Sequence, residues 1–150
     1  MVSKRGLLGA AVCVVLTGGL AAPMASAGEV GPIERCGGYA RGLKVNVSGH
    51  KGRPPVRVVA GRNVTVTASF IPARSAASAK FRFVAETRMG QFPIASGKIG
   101  PLRKGVRYKA GGTIRPSGFF AGRTVTVRAT VTSGSFVELC MRVPVKVAAR

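Results

Sequence analysis

Few residues in this sequence could carry out acid–base, nucleophilic or metal chemistry. The chain of 150 residues has four acidic residues, all Glu, together with one His and three Cys. A Ser-His-Asp triad therefore lacks its Asp, and a carboxylate pair must come from Glu29, Glu34, Glu86 and Glu138 alone. One His and three Cys cannot build a His-rich or Cys-rich metal site. We expect no catalytic residue, no metal ligand and no cofactor, and hence a protein that is not an enzyme.

The basic residues dominate the charge of the chain. Lys and Arg total 24, which gives a formal net charge of +20. Ten of them lie on outward strand positions or in loops: Lys80, Arg82, Arg103, Lys104, Arg107, Lys109, Arg123, Arg128, Arg142 and Lys146. We expect Glu86 and Glu138 to be surface ion-pair partners of the surrounding Arg residues.

Three interpretations of this charge stay open. It could form a solvated surface with no partner, or it could attract anionic lipid headgroups or acidic polymers of a cell envelope. Nucleic-acid binding is the least favoured, because stacking needs aromatic side chains and the chain has seven Phe, two Tyr and no Trp.

The first 27 residues have the layout of a secretory signal peptide. Lys4 and Arg5 precede an apolar stretch over residues 7–22, and Ala25-Ser26-Ala27 matches the small-residue pattern of a cleavage site. The alternative is an uncleaved membrane anchor, but the apolar run is short and interrupted. We expect a secreted domain of residues 28–150 with a charge of +18, from 22 basic and four acidic residues.

Cleavage would leave two cysteines, Cys36 and Cys140. In an oxidising compartment an even pair is most simply one disulfide, and it would connect the start of the domain to its end.

The rest of the chain alternates apolar and polar residues as β-strands do. The clearest runs are residues 63–70, 80–86, 123–132 and 136–147, with shorter ones at 43–48 and 56–59. Gly- and Pro-rich turns separate them, and no segment keeps a helical apolar period. About seven strands with one apolar face indicate an all-β sandwich of two antiparallel sheets.

Several segments, in their order and spacing, resemble the ML lipid-recognition family, which includes a lysosomal sterol-transfer protein and the group-two mite allergens. The similarity extends from Ile33 to Val147. It is carried by Glu34-Arg35-Cys36-Gly37, Ala60-Gly61-Arg62-Asn63-Val64-Thr65-Val66, Phe92-Pro93-Ile94, Gly100-Pro101-Leu102-Arg103-Lys104-Gly105-Val106-Arg107-Tyr108 and Cys140-Met141-Arg142-Val143-Pro144-Val145-Lys146-Val147. The resemblance implies an immunoglobulin-like sandwich, and it matches Cys36 and Cys140 to the pair that joins the first and last strands.

The sequence also departs from the family pattern. Typical members have three disulfides, whereas His50, Val56 and Gly100 stand where further cysteines would be. The loops over residues 49–55 and 96–100 are therefore expected to be looser here.

The resemblance further implies an apolar cavity between sheets that splay apart at one edge. The candidate lipid-binding residues are Phe92, Ile94, Phe120, Ile114 and Pro116, with Val66, Phe83, Tyr108, Val127 and Met141 added by parity and location. For each of them the alternative is ordinary core packing. Phe119 and Phe120 are adjacent, so we expect at least one of them to be exposed at the mouth of the cavity or at a membrane.

The sequence thus predicts a secreted, monomeric lipid-binding or lipid-transfer protein. Its ligand would be a sterol, a phospholipid or a fatty acid, and an anionic membrane or envelope surface is a possible partner. The alternative is a cationic module on the same fold that binds a cell envelope or an anionic polymer and has no cavity.

Overall fold

The computed structural model describes residues 12–15 and 27–150. The predicted signal peptide, residues 1–27, lies outside this part of the chain except for residues 12–15 and Ala27. No helix in the described residues is long and apolar enough to cross a membrane.

The described residues form eleven strands and one short 3-10 helix. The strands are β1 Val12–Val15, β2 Ala27–Val30, β3 Glu34–Gly37, β4 Arg41–Ser48, β5 Val56–Val59, β6 Val64–Ile71, β7 Ala79–Thr87, β8 Gly90–Ile99, β9 Tyr108–Ile114, β10 Thr124–Ser133 and β11 Phe136–Ala148, and the 3-10 helix is Gly118–Phe120. The expected all-β class is confirmed, and β5 matches the run predicted at residues 56–59. The strands outside the predicted runs are β1, β2, β3, β8 and β9.

The strands make two sheets. The five-stranded sheet has the order β1-β9-β6-β4-β2, and the six-stranded sheet has the order β3-β11-β10-β7-β8 with β5 beside β11. Neighbouring strands are antiparallel except for β5 and β11, which are parallel. The structure is therefore the two-sheet sandwich that the alternating sequence predicts.

The inward rows of the two sheets form two separate clusters. The valine core contains Val30, Val45, Val47, Val56, Val58, Ala60, Val64, Ala68, Ala129, Met141, Val143 and Val147. The aromatic core contains Ala40, Phe70, Ala79, Phe81, Ile99, Leu102, Tyr108, Val131 and Leu139. The same alternation thus supplies small branched side chains to one region and large side chains to the other.

The predicted disulfide between Cys36 and Cys140 is confirmed. It joins β3 to β11, where Gly37 lies opposite Cys140 in the register. The bond closes a loop with a sequence separation of 104 residues, so it restricts nearly the whole unfolded domain.

The expectation for Glu138 is wrong. Glu138 is completely buried, and its Oε2 accepts a hydrogen bond from the backbone N–H of Ala73 at 3.2 Å. The cause is a bulge, because Val131 lies opposite Leu139 while the next residue, Thr132, lies opposite Val137. Glu138 is the extra residue, and a bulge changes which side of the sheet a side chain faces.

The expectation for Glu86 is confirmed. Its Oε1 lies 3.5 Å from Nε of Arg128 and 3.5 Å from Nε of Arg142 on the outer face of the six-stranded sheet. Arg142 also reaches Glu34, with Nη1 3.9 Å from Oε1.

Candidate functional site

An apolar cavity of about 160 Å³ lies between the sheets, beside the valine core. Most of its wall is aliphatic: Val45, Val47, Val56, Val58, Val64, Val66, Phe83, Ala85, Pro93, Ile94, Ile114, Arg115, Pro116, Ser117, Phe120, Val125, Val127, Ala129, Met141, Val143, Val145 and Val147. Arg115 and Ser117 are the two polar residues in this wall. A cavity lined in this way stays dry and accepts apolar molecules.

The strand register explains why the six-stranded side of the cavity is smooth. Ala85 of β7, Val127 of β10 and Val143 of β11 lie side by side. The next inward-facing row, two residues along each strand, is formed by Phe83, Ala129 and Met141. Ala85 and Ala129 are the small members of these rows, so the side chains do not fill the space between the sheets.

The cavity reaches the surface at one end, which we call the mouth: Pro93, Ile94, Arg115, Pro116, Ser117 and Phe120. Pro93, Arg115 and Ser117 are exposed. A second bulge shapes this end, because Phe83 lies opposite Ala95 while Val84 lies opposite Pro93. Ile94 is the extra residue of that bulge.

Contacts with the turn at Gly61 fix the far side of the mouth. Nε of Arg115 donates to the carbonyl of Gly61 at 2.8 Å, and the N–H of Gly61 donates to the carbonyl of Pro116 at 2.8 Å. Gly61 has a φ of +78°, a conformation that favours glycine. The segment after β9 is therefore held in place although it has no regular structure.

Three aromatic rings gather beside the mouth. The centroids of Phe92 and Phe119 are 5.6 Å apart, those of Phe92 and Phe120 are 5.9 Å apart, and those of Phe119 and Phe120 are 5.1 Å apart. Phe119 is 52% exposed, which confirms that one of the adjacent pair faces solvent. The guanidinium carbon of Arg123 lies 5.5 Å from the centroid of Phe119, and the nearby Met89 is 57% exposed.

Eight of the ten residues predicted from the sequence lie in the cavity wall: Val66, Phe83, Ile94, Ile114, Pro116, Phe120, Val127 and Met141. Phe92 packs against Phe119 and Phe120 instead. Tyr108 belongs to the aromatic core, where its hydroxyl accepts a hydrogen bond from the N–H of Arg103 at 2.7 Å. A role in lipid binding stays a prediction for all ten.

Sequence reasoning missed much of the wall. Val45, Val47, Val56 and Val58 lie in predicted short strands and are not among the predicted lipid-binding residues, yet all four line the cavity. Their alternation was the available signal, but it does not distinguish a filled core from a hollow one.

The wall offers shape and van der Waals contact, with few polar groups. The buried polar side-chain atoms that lack a hydrogen bond in the described part of the chain belong to His50, Glu86, Glu138 and Arg142, all outside the wall. In the same residues, no group of three or more His, Cys, Asp or Glu could hold a metal ion.

Comparison with known proteins supports the fold. Neither a family model nor a curated protein matches the sequence. Among solved structures, a Niemann-Pick type C2 protein from the Japanese carpenter ant is similar, with a TM-score of 0.62 and 12% sequence identity. The match covers 77% of this chain and 98% of that one. The chain thus has an ML-like β-sandwich fold.

Proposed function

We propose that this protein is a secreted, non-enzymatic lipid carrier that holds the hydrocarbon part of its ligand between the two sheets. The observation that carries the proposal is the apolar cavity, because a sandwich packed to native density has no such space. The ligand is a sterol, a phospholipid or a fatty acid. The similarity to the fold of a Niemann-Pick type C2 protein also supports a lipid carrier.

The size of the cavity supports binding of one end of a lipid, with separation of the sheets for longer ligands. A cavity of about 150 Å³ holds one benzene ring, so the 160 Å³ here accepts one end of a lipid. Longer ligands enter by pushing the sheets apart at the mouth, where Ile94 and Phe120 are only half-buried. Each methylene buried contributes about 0.8 kcal/mol. This gain offsets the cost of separating the sheets.

The surface around the mouth supports transfer at an anionic membrane. Phe119 and Met89 expose apolar surface, and Arg88, Arg115 and Arg123 are exposed cations close to them in the chain. Aromatic side chains enter the interface of a bilayer, while each basic residue near an anionic surface adds about 1 kcal/mol of attraction. The mouth would then face the bilayer, and the lipid would pass without crossing water.

Secretion is part of the proposal. Residues 1–27 act as a signal peptide, and their removal takes away β1, which pairs with Lys109–Gly112 of β9. After cleavage the five-stranded sheet would keep four of its strands, and β9 would become an edge strand. The disulfide supports an oxidising destination.

The test is lipid uptake by a variant in which the cavity is filled. Val127→Phe places a ring between Ala85 and Val143, and we expect it to weaken binding of a fluorescent sterol and of a fluorescent fatty acid at least tenfold. The matched control is Val137→Phe, which adds the same ring at a position that is 37% exposed. Equal uptake by the Val127→Phe variant, the control and the unmodified protein would overturn the proposal.

Binding of the protein to an anionic membrane is tested separately. Phe119→Ser should reduce sedimentation with vesicles that contain anionic phospholipid, whereas Val137→Ser should not. If both variants sediment like the unmodified protein, the exposed ring has no part in membrane binding.

A further inference from the structure

The outer face of the six-stranded sheet carries a set of polar side chains that the cavity does not use. We call it the cationic grid: Lys98 and Ser96 of β8, Lys80 and Arg82 of β7, and Thr132 and Thr130 of β10. In the register Lys80 lies directly opposite Lys98, and Arg82 lies opposite Ser96. On the other side of β7, Thr132 lies opposite Lys80 and Thr130 opposite Arg82.

The grid faces solvent because the residues between its members face the aromatic core. Ala79, Phe81 and Ile99 are buried, and a Cβ atom at Gly97 would lie 2.7 Å from the ring of Phe81. Alternation then directs Lys80, Arg82 and Lys98 outward, and all three are exposed.

In the described part of the chain, no carboxylate pairs with these cations. The four acidic residues lie elsewhere: Glu34 and Glu86 pair with Arg128 and Arg142, Glu138 is buried against Ala73, and Glu29 lies on β2 of the other sheet. Like charges directly opposite one another destabilise a sheet. The pair Lys80 and Lys98 is therefore a cost to the fold that an anionic ligand would relieve.

We propose that the cationic grid binds a linear polyol phosphate, a phosphodiester polymer without bases. Side chains two residues apart on one strand are roughly 7 Å apart, a spacing that suits successive phosphates of an extended polymer. Arg82 can bind a phosphate through two parallel N–H bonds, and the hydroxyls of Ser96 and Thr132 can donate to the remaining oxygens.

The composition of the grid favours this polymer over other anionic partners. A nucleic acid would need aromatic side chains on which its bases stack, and the grid has none. A bilayer would need exposed apolar side chains, and the exposed Met89 and Phe119 lie beside the mouth instead. The grid thus adds a second binding surface, which would hold the carrier at an anionic envelope while the cavity serves the lipid.

The experiment uses the mature protein and a labelled, lipid-free poly(glycerol phosphate), with affinity measured from about 50 to 200 mM salt. The triple variant Lys80→Ser, Arg82→Ser, Lys98→Ser should lose roughly tenfold in affinity and show a shallower dependence on salt, because fewer counterions are released. The matched control, Arg41→Ser, Lys44→Ser, Arg53→Ser, removes the same charge from exposed positions and should stay within roughly threefold of the unmodified protein.

Two results would overturn the proposal. One is an equal loss in both triple variants, which would mean that only net charge matters. The other is tighter binding of the unmodified protein to a single-stranded oligonucleotide of the same charge. If the grid variant does not fold, Lys98→Ser on the edge strand β8 is compared with the single control Lys44→Ser, and we expect a loss of roughly twofold in the first and none in the second. An equal loss in both would overturn the proposal. Lipid uptake, measured in parallel, reports on the cavity separately.

Discussion

The two cores of this sandwich are built from the same alternation and reach opposite results. The aromatic core combines Phe70, Phe81 and Leu139 with other large residues that are almost completely buried. The valine core places small branched side chains between the same two sheets and leaves about 160 Å³ empty. The comparison shows that side-chain volume, not strand pattern, decides which end of a sandwich is solid and which can hold a ligand.

The end of the sandwich that holds the aromatic core, the solid end, also carries the disulfide and a buried carboxylate. The disulfide joins β3 to β11 close to Leu139, and Glu138 attaches the segment at Ala73 to β11. The hollow end has the mouth and its exposed ring instead. The disulfide and the buried carboxylate therefore both stabilise the solid end.

The largest effect is expected from the disulfide. Replacing both Cys36 and Cys140 by Ser should lower the free energy of unfolding by about 3–5 kcal/mol, since the closed loop is long. Denaturant titration of the mature protein measures the change. A loss below about 1 kcal/mol would mean that the solid end does not depend on its covalent link.

A matched pair of substitutions tests the difference in packing. Ala79→Leu in the aromatic core should cost about 1–3 kcal/mol through overpacking, whereas Ala129→Leu in the cavity wall should cost less than about 0.5 kcal/mol because the added carbons enter empty space. Thermal unfolding compares the two variants. Equal costs would show that the valine core is as tightly filled as the aromatic core.

The buried carboxylate tests the polar link at the solid end. Glu138→Ala should cost about 1–3 kcal/mol, because it leaves the N–H of Ala73 without its partner. Glu138→Gln keeps an acceptor and should cost less, so the difference between the two in denaturant titration isolates the hydrogen bond. If the two variants have the same stability, Glu138 contributes through its volume alone.

The smallest effect is expected on the outer face. Glu86→Gln removes the ion pairs with Arg128 and Arg142, which are partly exposed, and should change the free energy of unfolding by less than about 1 kcal/mol. A double-mutant cycle with Arg128→Gln measures the coupling energy. A value above about 2 kcal/mol would place these ion pairs among the main supports of the sheet.

Much of the fold was accessible from the sequence, because period-two alternation and turn residues identify strands directly. The direction of the Glu138 side chain was not accessible, because a bulge adds one residue and reverses the alternation without a signal in the local sequence. Resemblance and parity predict Phe92 and Tyr108 in the cavity, whereas Phe92 packs with Phe119 and Phe120, and Tyr108 fills the aromatic core. The hollow itself depends on the side-chain volumes of both sheets taken together, which no single strand encodes.

Native mass spectrometry of residues 28–150 as purified, followed by solvent extraction and identification of any lipid, shows directly whether the cavity holds a ligand. We expect a bound lipid near one-to-one stoichiometry that is reduced in the Val127→Phe variant and retained in the Val137→Phe variant. A ligand-free mass that stays unchanged after incubation with sterols, fatty acids and anionic phospholipids would contradict this expectation.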